Sequence, residues 1–340
     1  MDKRGSPKVS VIVVNFREIE RLEKCLKFLE QTNYPRYDVI VVDCLTDNIE
    51  TWLRKKFPNV KLIHYNHDIG ASASHNVDKN FLDSETKYLA FLDNDVYVTE
   101  NWLEELVKIM ESDERIGAAQ AKIVIAKSPD LLDHAGLAID ALGTWYTLYG
   151  SKADSLRNVL ELFAASAAGC IVRREVFEEV GGFDPDYFIY DDDTDFSFRV
   201  RLLGYKIVLV PSAVVLHDCE PARFLKPKKL YHSVKNRMLT MLKNYEPREL
   251  WWRLILYIVA TLIAGASLAL MGKMIESKEV FRGLIYPLTS MRKIWAKRAL
   301  IQSKRKIRDS NLIKMGFLRS DILPTILDIK SKLIYVREKR

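Results

Sequence analysis

Lys87–Val96 reads KYLAFLDNDV, an unbroken apolar run closed by two aspartates with one residue between them. A short apolar run that stops at polar residues is the pattern of a strand buried on both faces. Working outward, VSVIVVN (9–15), DVIVVD (38–43) and VKLIHY (60–65) repeat it. Between the first two, Ile19, Leu22, Cys25, Leu26 and Leu29 recur at three- and four-residue spacing and form one helical stripe. The segments 48–57 and 71–81 are expected to be further helices, and 99–110 (TENWLEELVKIM) a fourth, with Thr99 as N-cap. Strands alternating with helices imply right-handed crossovers and a doubly wound, mostly parallel α/β sheet flanked by helices.

In such a sheet ligands bind beyond the carboxyl ends of the strands. Those ends carry Asn15, Asp43, the stretch His64–Asp68, and Asp93 with Asp95. One polar residue there is commonly a turn former, but four strands ending this way outline a site. Neither a G-x-G-x-x-G after the first strand nor a G-x-x-x-x-G-K-[ST] is present, so phosphate would need another source of positive charge. Asp93 and Asp95 can supply it through a hard divalent cation, which binds carboxylate and phosphate oxygens together.

Between Lys127 and Leu162 no regular period emerges. Order returns at GCIVRREVFEEVGGF (169–183), a strand and a short helix closed by Gly181 and Gly182. Then YDDDTDF (190–196) places four aspartates in five positions at the start of a helix running to Gly204. One aspartate would satisfy a helix N-terminus. Crowded carboxylates flanked by Phe188, Tyr190 and Phe196 should bind protons more tightly, which suits a general base. YKIVLVP (205–211) and AVVLHD (213–218) read as two more strands, the second ending at His217, either a core histidine or a metal ligand.

Four scattered cysteines, Cys25, Cys44, Cys170 and Cys219, lack C-x-x-C spacing and read as reduced core residues. The first residues show no signal-peptide cleavage pattern, so the catalytic part is expected in the cytoplasm. The net charge of +7 is uneven: Lys273–Arg340 holds 18 basic against 6 acidic residues, +12, leaving −5 elsewhere. Such a tail would meet anionic lipid or nucleic acid, or simply be a solvated helical surface. Residues 254–271 are uncharged and follow Trp251 and Trp252, at the lower length limit for a membrane span. A single span would strand the basic tail on the far side, against the positive-inside tendency. A re-entrant or interfacial helix is therefore expected, with Gly265 as a place to bend or pack closely; the competing reading is a buried helix of a soluble dimer. The expected division is a catalytic domain, 1–225, and a helical C-terminal region, 226–340.

Taken in order, VSVIVVNF, FLDNDV and the long stretch from AAGCIVRREVF to AVVLH resemble family 2 inverting glycosyltransferases of the GT-A fold, over about residues 8–250. The resemblance implies roles. Asn15 and Asp43, with Asp68, lie on the nucleotide side; Asp93 and Asp95 match the D-x-D that holds the ribose and a Mn²⁺ or Mg²⁺ ion. His217 matches a histidine that completes the metal shell in some members. Gly169 and Cys170 match the sugar and acceptor wall. Asp193 matches the base, and Asp192 stands where the family usually has glutamate, so the base is one of these two. The processive Q-x-x-R-W motif is absent, which implies one sugar per encounter. The implied partners are a nucleotide-sugar donor, a lipid-linked or other glycan acceptor, and the anionic cytoplasmic face of the cell membrane; nucleic acid is not expected, and a homodimer is compatible. Two alternatives stay open, a haloacid-dehalogenase-like phosphatase read from LDNDVYV and a non-catalytic nucleotide-sugar-binding membrane scaffold.

Overall fold

A computed structural model describes residues 5–218 and 226–327; Cys219 lies outside them. In chain order the elements are β1 (Lys8–Phe16), α1 (Ile19–Leu29), β2 (Tyr37–Cys44), α2 (Ile49–Lys56), β3 (Lys61–Tyr65), α3 (Ala71–Ser74), β4 (Thr86–Asp93), β5 (Val96–Val98) and α4 (Trp102–Ser112). There follow β6 (Ile116–Ile125), β7 (Ser128–His134), β8 (Gly136–Ile139), β9 (Trp145–Thr147), β10 (Leu160–Glu161), β11 (Cys170–Arg173), α5 (Arg174–Val180), α6 (Asp192–Leu202) and β12 (Lys206–His217). The remaining helices are α7 (Pro227–Asn244), α8 (Pro247–Leu270), α9 (Met274–Thr289), α10 (Met291–Lys304) and α11 (Asp309–Lys314).

The main sheet runs β10-β12-β6-β11-β4-β1-β2-β3, with β5 against β12 and β7 against β6. β4, β1, β2 and β3 are mutually parallel, as are β6 and β12. β11 joins the two groups antiparallel to both neighbours. The sheet is thus an α/β sheet covered on both faces: Val9, Val11 and Val13 of β1 enter one core, while Ile12 enters the other. That two-sided burial is why the strand is continuously apolar instead of alternating.

Three local expectations are corrected. The segment 71–81 is helical only over α3, followed by a 3₁₀ turn at Lys79–Phe81. It has no apolar stripe to bury, and Asn76 instead bonds both the carbonyl and the amide of Phe183, at 2.8 and 2.9 Å. The N-cap of α4 is Asn101; the Thr99 hydroxyl donates to the Val214 carbonyl at 2.8 Å, tying α4 to β12. The two strands expected over 205–218 are one, β12, whose register against β6 shifts between Val210 and Val214. That irregularity takes up Pro211, which has no N–H for the ladder.

The C-terminal helices share a core with the part of the chain that carries the sheet. Phe163, Tyr187, Phe198 and Leu202 pack with Met238, Leu242, Tyr245, Leu250, Leu254, Leu312 and Phe317. Within that core Lys243 bridges Asp184 and Asp195 at 2.6 and 3.0 Å. α8 and α9 form a hairpin through Met271–Lys273. Phe281 occupies the space a Cβ on Gly265 would need, at 2.9 Å, and Ser277 donates to the Gly265 carbonyl at 2.8 Å. Gly265 therefore serves close packing, and the hairpin returns the chain to the body. By length and composition α8 is one helix able to cross a membrane, yet Leu250, Arg253, Leu254, Tyr257 and Thr261 face protein while Ile255, Val259 and Ile263 face outward. Part of the basic tail is also engaged by protein: Lys293 pairs with Asp186, and Lys297 with both Asp184 and Asp186. Those charges are not free for lipid.

Candidate active site

A cleft of about 1070 Å³ opens at the carboxyl ends of β4 and β12. Asp93, Asp95 and His217 line it together with Asp191, Asp192 and Asp193. Asp93 and Asp95 sit there because β4 ends at Asp93 and β5 turns back at once. His217 reaches them because β5 pairs with the end of β12, Val96 opposite His217. One donor atom from each of Asp93, Asp95 and His217 lies within 4.8 Å of the others. Two carboxylates and an imidazole suit Mn²⁺ or Mg²⁺, whose preference is for oxygen with a tolerated nitrogen.

The two aspartates differ in how readily they ionise. Burial, then Asp95, raises the Asp93 carboxyl above its ordinary value. Burial also opposes ionisation of Asp95, but its bond to His217 and the charges of His217 and Arg21 together bring it below. Arg21 Nη1 lies 3.3 Å from Asp95 Oδ2 and also lines the cleft.

The four aspartates of YDDDTDF have separate duties. Asp195 is structural: Arg199, Lys243 and Asn244 enclose it, and it is fully buried. Asp191 occupies the N-cap position in a left-handed conformation. Asp192 is buried, its Oδ2 3.7 Å from His75 Nδ1; neither atom has a hydrogen-bond partner among the described residues. Asp193 faces the cleft and accepts the Thr194 amide at 2.8 Å. Burial first, then Asp192 and Asp191, raise its carboxyl well above the ordinary value.

The loop presenting them is held in an unfavourable backbone shape. Phe188, Tyr190 and Asp191 all have positive φ, at 66°, 68° and 56°. Gly70 permits the loop's approach, since a Cβ there would lie 2.4 Å from the Phe188 carbonyl oxygen. From α7, Asn236 Nδ2 donates to the carbonyls of Tyr187, Ile189 and Tyr190 at 3.1, 2.8 and 2.7 Å. Such strain persists only where surroundings over-determine it, and Asn236 is the fastening.

Not every expected site residue lines the cleft. Asn15 and Asp43 are buried beneath it: Asn15 donates to Asp43 at 2.6 Å and accepts from Asn94 at 2.6 Å. Asp43 also takes Thr46 at 2.6 Å and faces His64 at 2.8 Å. Asp68 shapes the turn before α3, accepting the Gly70 amide at 3.0 Å. Gly169 and Cys170, expected as the sugar and acceptor wall, are not among the residues lining the cleft; Ser166, Ala167 and Ala168, just ahead of them, are. Cys170 is buried among them, and after burial the charges of Asp193 and Asp93 push its thiol up. Arg21, His75 and Asn236 also serve the site, and no motif spacing in the sequence marks any of them.

The solved structures that resemble this one share its GT-A fold. GalNAc-T7, solved with UDP, GalNAc and Mn²⁺, superposes with a TM-score of 0.60 at 15% identity, covering 84% of this chain and 58% of that one. The Pyrobaculum calidifontis mannosyltransferase PcManGT, solved with GDP-Man and Mn²⁺, gives 0.52 at 17% identity, over 89% and 87%. The family described as "Glycosyltransferase like family 2" matches residues 7–239, and the chain belongs to it: it is a glycosyltransferase. Relatives include the O-antigen biosynthesis protein RfbC of Myxococcus xanthus, 29% identical over 65% of this chain, and glycosyltransferase AglE of Haloferax volcanii, 27% over 64%. The alignment spans 18% of RfbC and 68% of AglE. Over 88 residues, 26% of this chain and 28% of its own, the N-acetylglucosaminyl-diphospho-decaprenol L-rhamnosyltransferase of Mycobacterium tuberculosis is 35% identical.

Proposed function

We propose that this glycosyltransferase is inverting and metal-dependent, and that it moves one sugar from a nucleotide sugar to a hydroxyl of a lipid-linked glycan at the cytoplasmic membrane face. The observation that carries this reading is the pairing across one cleft of a proton-binding carboxylate, Asp193, with the Asp93–Asp95–His217 cluster. The acceptor hydroxyl attacks the anomeric carbon while Asp193 takes its proton; the bond to the diphosphate breaks and its electron pair leaves with the phosphate oxygen. Asp93, Asp95 and His217 would hold the cation, Mn²⁺ or Mg²⁺, which supplies positive charge to the departing diphosphate. Asp192, backed by His75, orients the acceptor or Asp193. Asn15, Asp43 and Asp68 support the nucleotide side from beneath, and Gly169 and Cys170 back the sugar wall formed by Ser166–Ala168. The lipid-linked acceptor is supported by the decaprenol-linked acceptor in one relative's name and by the outward apolar face of α8 beside the cleft, where Tyr257 of α8 is a lining residue.

Thermal-shift measurements of the protein with nucleoside diphosphates, with and without Mn²⁺, test the reading, because a ligand that binds the folded state raises its apparent stability. A shift that requires metal supports it. Equal shifts in EDTA would remove the metal from the account.

A further inference from the structure

His217 uses its two ring nitrogens in opposite directions. Nε2 points to the acidic cluster, 3.4 Å from Asp95 Oδ1. Nδ1 lies 2.6 Å from Asp133 Oδ2, a distance typical of a charge-assisted bond. Asp133 comes from β7, 84 residues earlier in the chain, and it owes its position to an irregularity. In the pairing of β6 with β7, Ile123 lies opposite His134, but the next residue, Val124, lies opposite Leu132. Asp133 is the extra residue between them. A bulge of this kind bends the strand and re-aims a side chain, and bulges concentrate next to active sites. Here the neighbours of the bulged residue go elsewhere: Leu132 enters a core cluster and His134 packs on Trp145 at 4.5 Å.

An ordinary surface ion pair would not need this arrangement. Both side chains are mostly buried, at 18% and 12% exposure. The Asp133 carboxylate occupies the one ring nitrogen that faces away from the cluster. An imidazole that donates Nδ1–H to a carboxylate keeps its Nε2 lone pair for a metal, and such a partner both orients the ring and raises its basicity as a ligand.

We propose that Asp133 is a positioning residue of the cation site, accepting the Nδ1–H of His217 so that Nε2 is held toward Asp93 and Asp95. The role rests on the reading of Asp93, Asp95 and His217 as cation ligands. It extends that site to a residue on β7 that acts through His217. It also explains why β7 carries a bulge where a regular hairpin would turn Asp133 away.

Mn²⁺ alone is the probe, titrated into the full chain and followed by electron paramagnetic resonance. Wild type, Asp133→Asn, Asp133→Ala, His217→Ala, Asp95→Ala and the double variant Asp133→Asn/His217→Ala are compared, each checked for folding by circular dichroism. Loss of an outer-shell partner commonly weakens metal binding about 10–100-fold, and Asp133→Asn and Asp133→Ala should each fall in that range. The double variant should bind no more weakly than His217→Ala, because the two residues act as one unit. Wild-type affinity in both folded Asp133 variants would overturn the proposal, as would losses that simply add in the double variant. If those variants bind normally while Asp95→Ala and His217→Ala are weakened, only the Asp133 role fails. If wild type itself does not bind Mn²⁺ and Asp95→Ala changes nothing, the cation site fails with it.

Discussion

Replacing Asn236 by leucine should loosen the segment that carries the proposed base without touching the cation cluster. Three backbone carbonyls, those of Tyr187, Ile189 and Tyr190, each receive a bond of 2.7–3.1 Å from the one amide nitrogen of Asn236. A typical intramolecular hydrogen bond contributes about 1 kcal/mol net. Three bonds sharing one donor nitrogen contribute less than three independent ones, so about 2 kcal/mol is a reasonable total. Opposing them, Phe188, Tyr190 and Asp191 hold left-handed backbone at a cost of about 1–3 kcal/mol each. Removing the fastening therefore shifts the loop toward relaxed conformations by about 2 kcal/mol, a factor of roughly 30. Hydrogen exchange at the amides of residues 187–195 is the assay, since it requires no knowledge of donor or acceptor. Exchange there should accelerate by about that factor, with amides of β1 and β4 unchanged. Unaltered exchange over 187–195 in a folded Asn236→Leu protein would refute the idea that this side chain holds the loop.

Other outcomes follow from the same geometry. Because the Asp193 carboxyl is raised well above its ordinary value, folding favours its protonated form; that stability is full at low pH and is lost as pH rises through the folded value. Asp193→Asn should accordingly raise the thermal midpoint at pH 7–8 relative to wild type, with the gain vanishing in acid, and an unchanged midpoint across the range would contradict the burial argument. Lys243→Met should cost about 3–5 kcal/mol in urea unfolding, since it leaves Asp184 and Asp195 as buried, under-compensated carboxylates; a loss below about 1 kcal/mol would show that Arg199, Asn244 and Lys297 suffice. Serine at Ile255, Val259 and Ile263, which face outward from α8, should reduce partition onto anionic vesicles at least tenfold. Undiminished binding would show that this face of α8 is not a membrane contact. Truncation near Glu246 is a poor substitute, because Leu250, Leu254 and Leu312 belong to the shared core.

The parallel half of the fold was legible because burial on both faces leaves continuous apolar runs, and because α1 carries its stripe on a single side. The D-x-D at the end of β4, the start of α6 and the terminal His217 could be read for the same reason: each closes an element whose period is clear. What escaped detection depends on departures from regularity. Pro211 looked like a strand end, yet a register shift absorbs it within β12. Asp133 sits in a stretch with no readable period, and only the bulge brings it to His217. Asp195 looked like one more member of an acidic cluster; its partners Lys243 and Asn244 lie on α7, a helix whose position no local pattern predicts. The acidic loop's shape depends on Asn236 for the same reason.

The most direct test of the account is sugar transfer measured beside metal-dependent nucleoside-diphosphate binding in two variants, Asp193→Asn and Asp95→Asn. Loss of a positioned general base costs about 10²–10⁴ in rate, so Asp193→Asn should lose that much transfer while binding stays near wild type. Asp95→Asn should weaken both. Near-normal transfer by Asp193→Asn, with Asp192→Asn inactive, would assign the base to Asp192; near-normal transfer by both would contradict the claim that this acidic cluster takes the acceptor's proton.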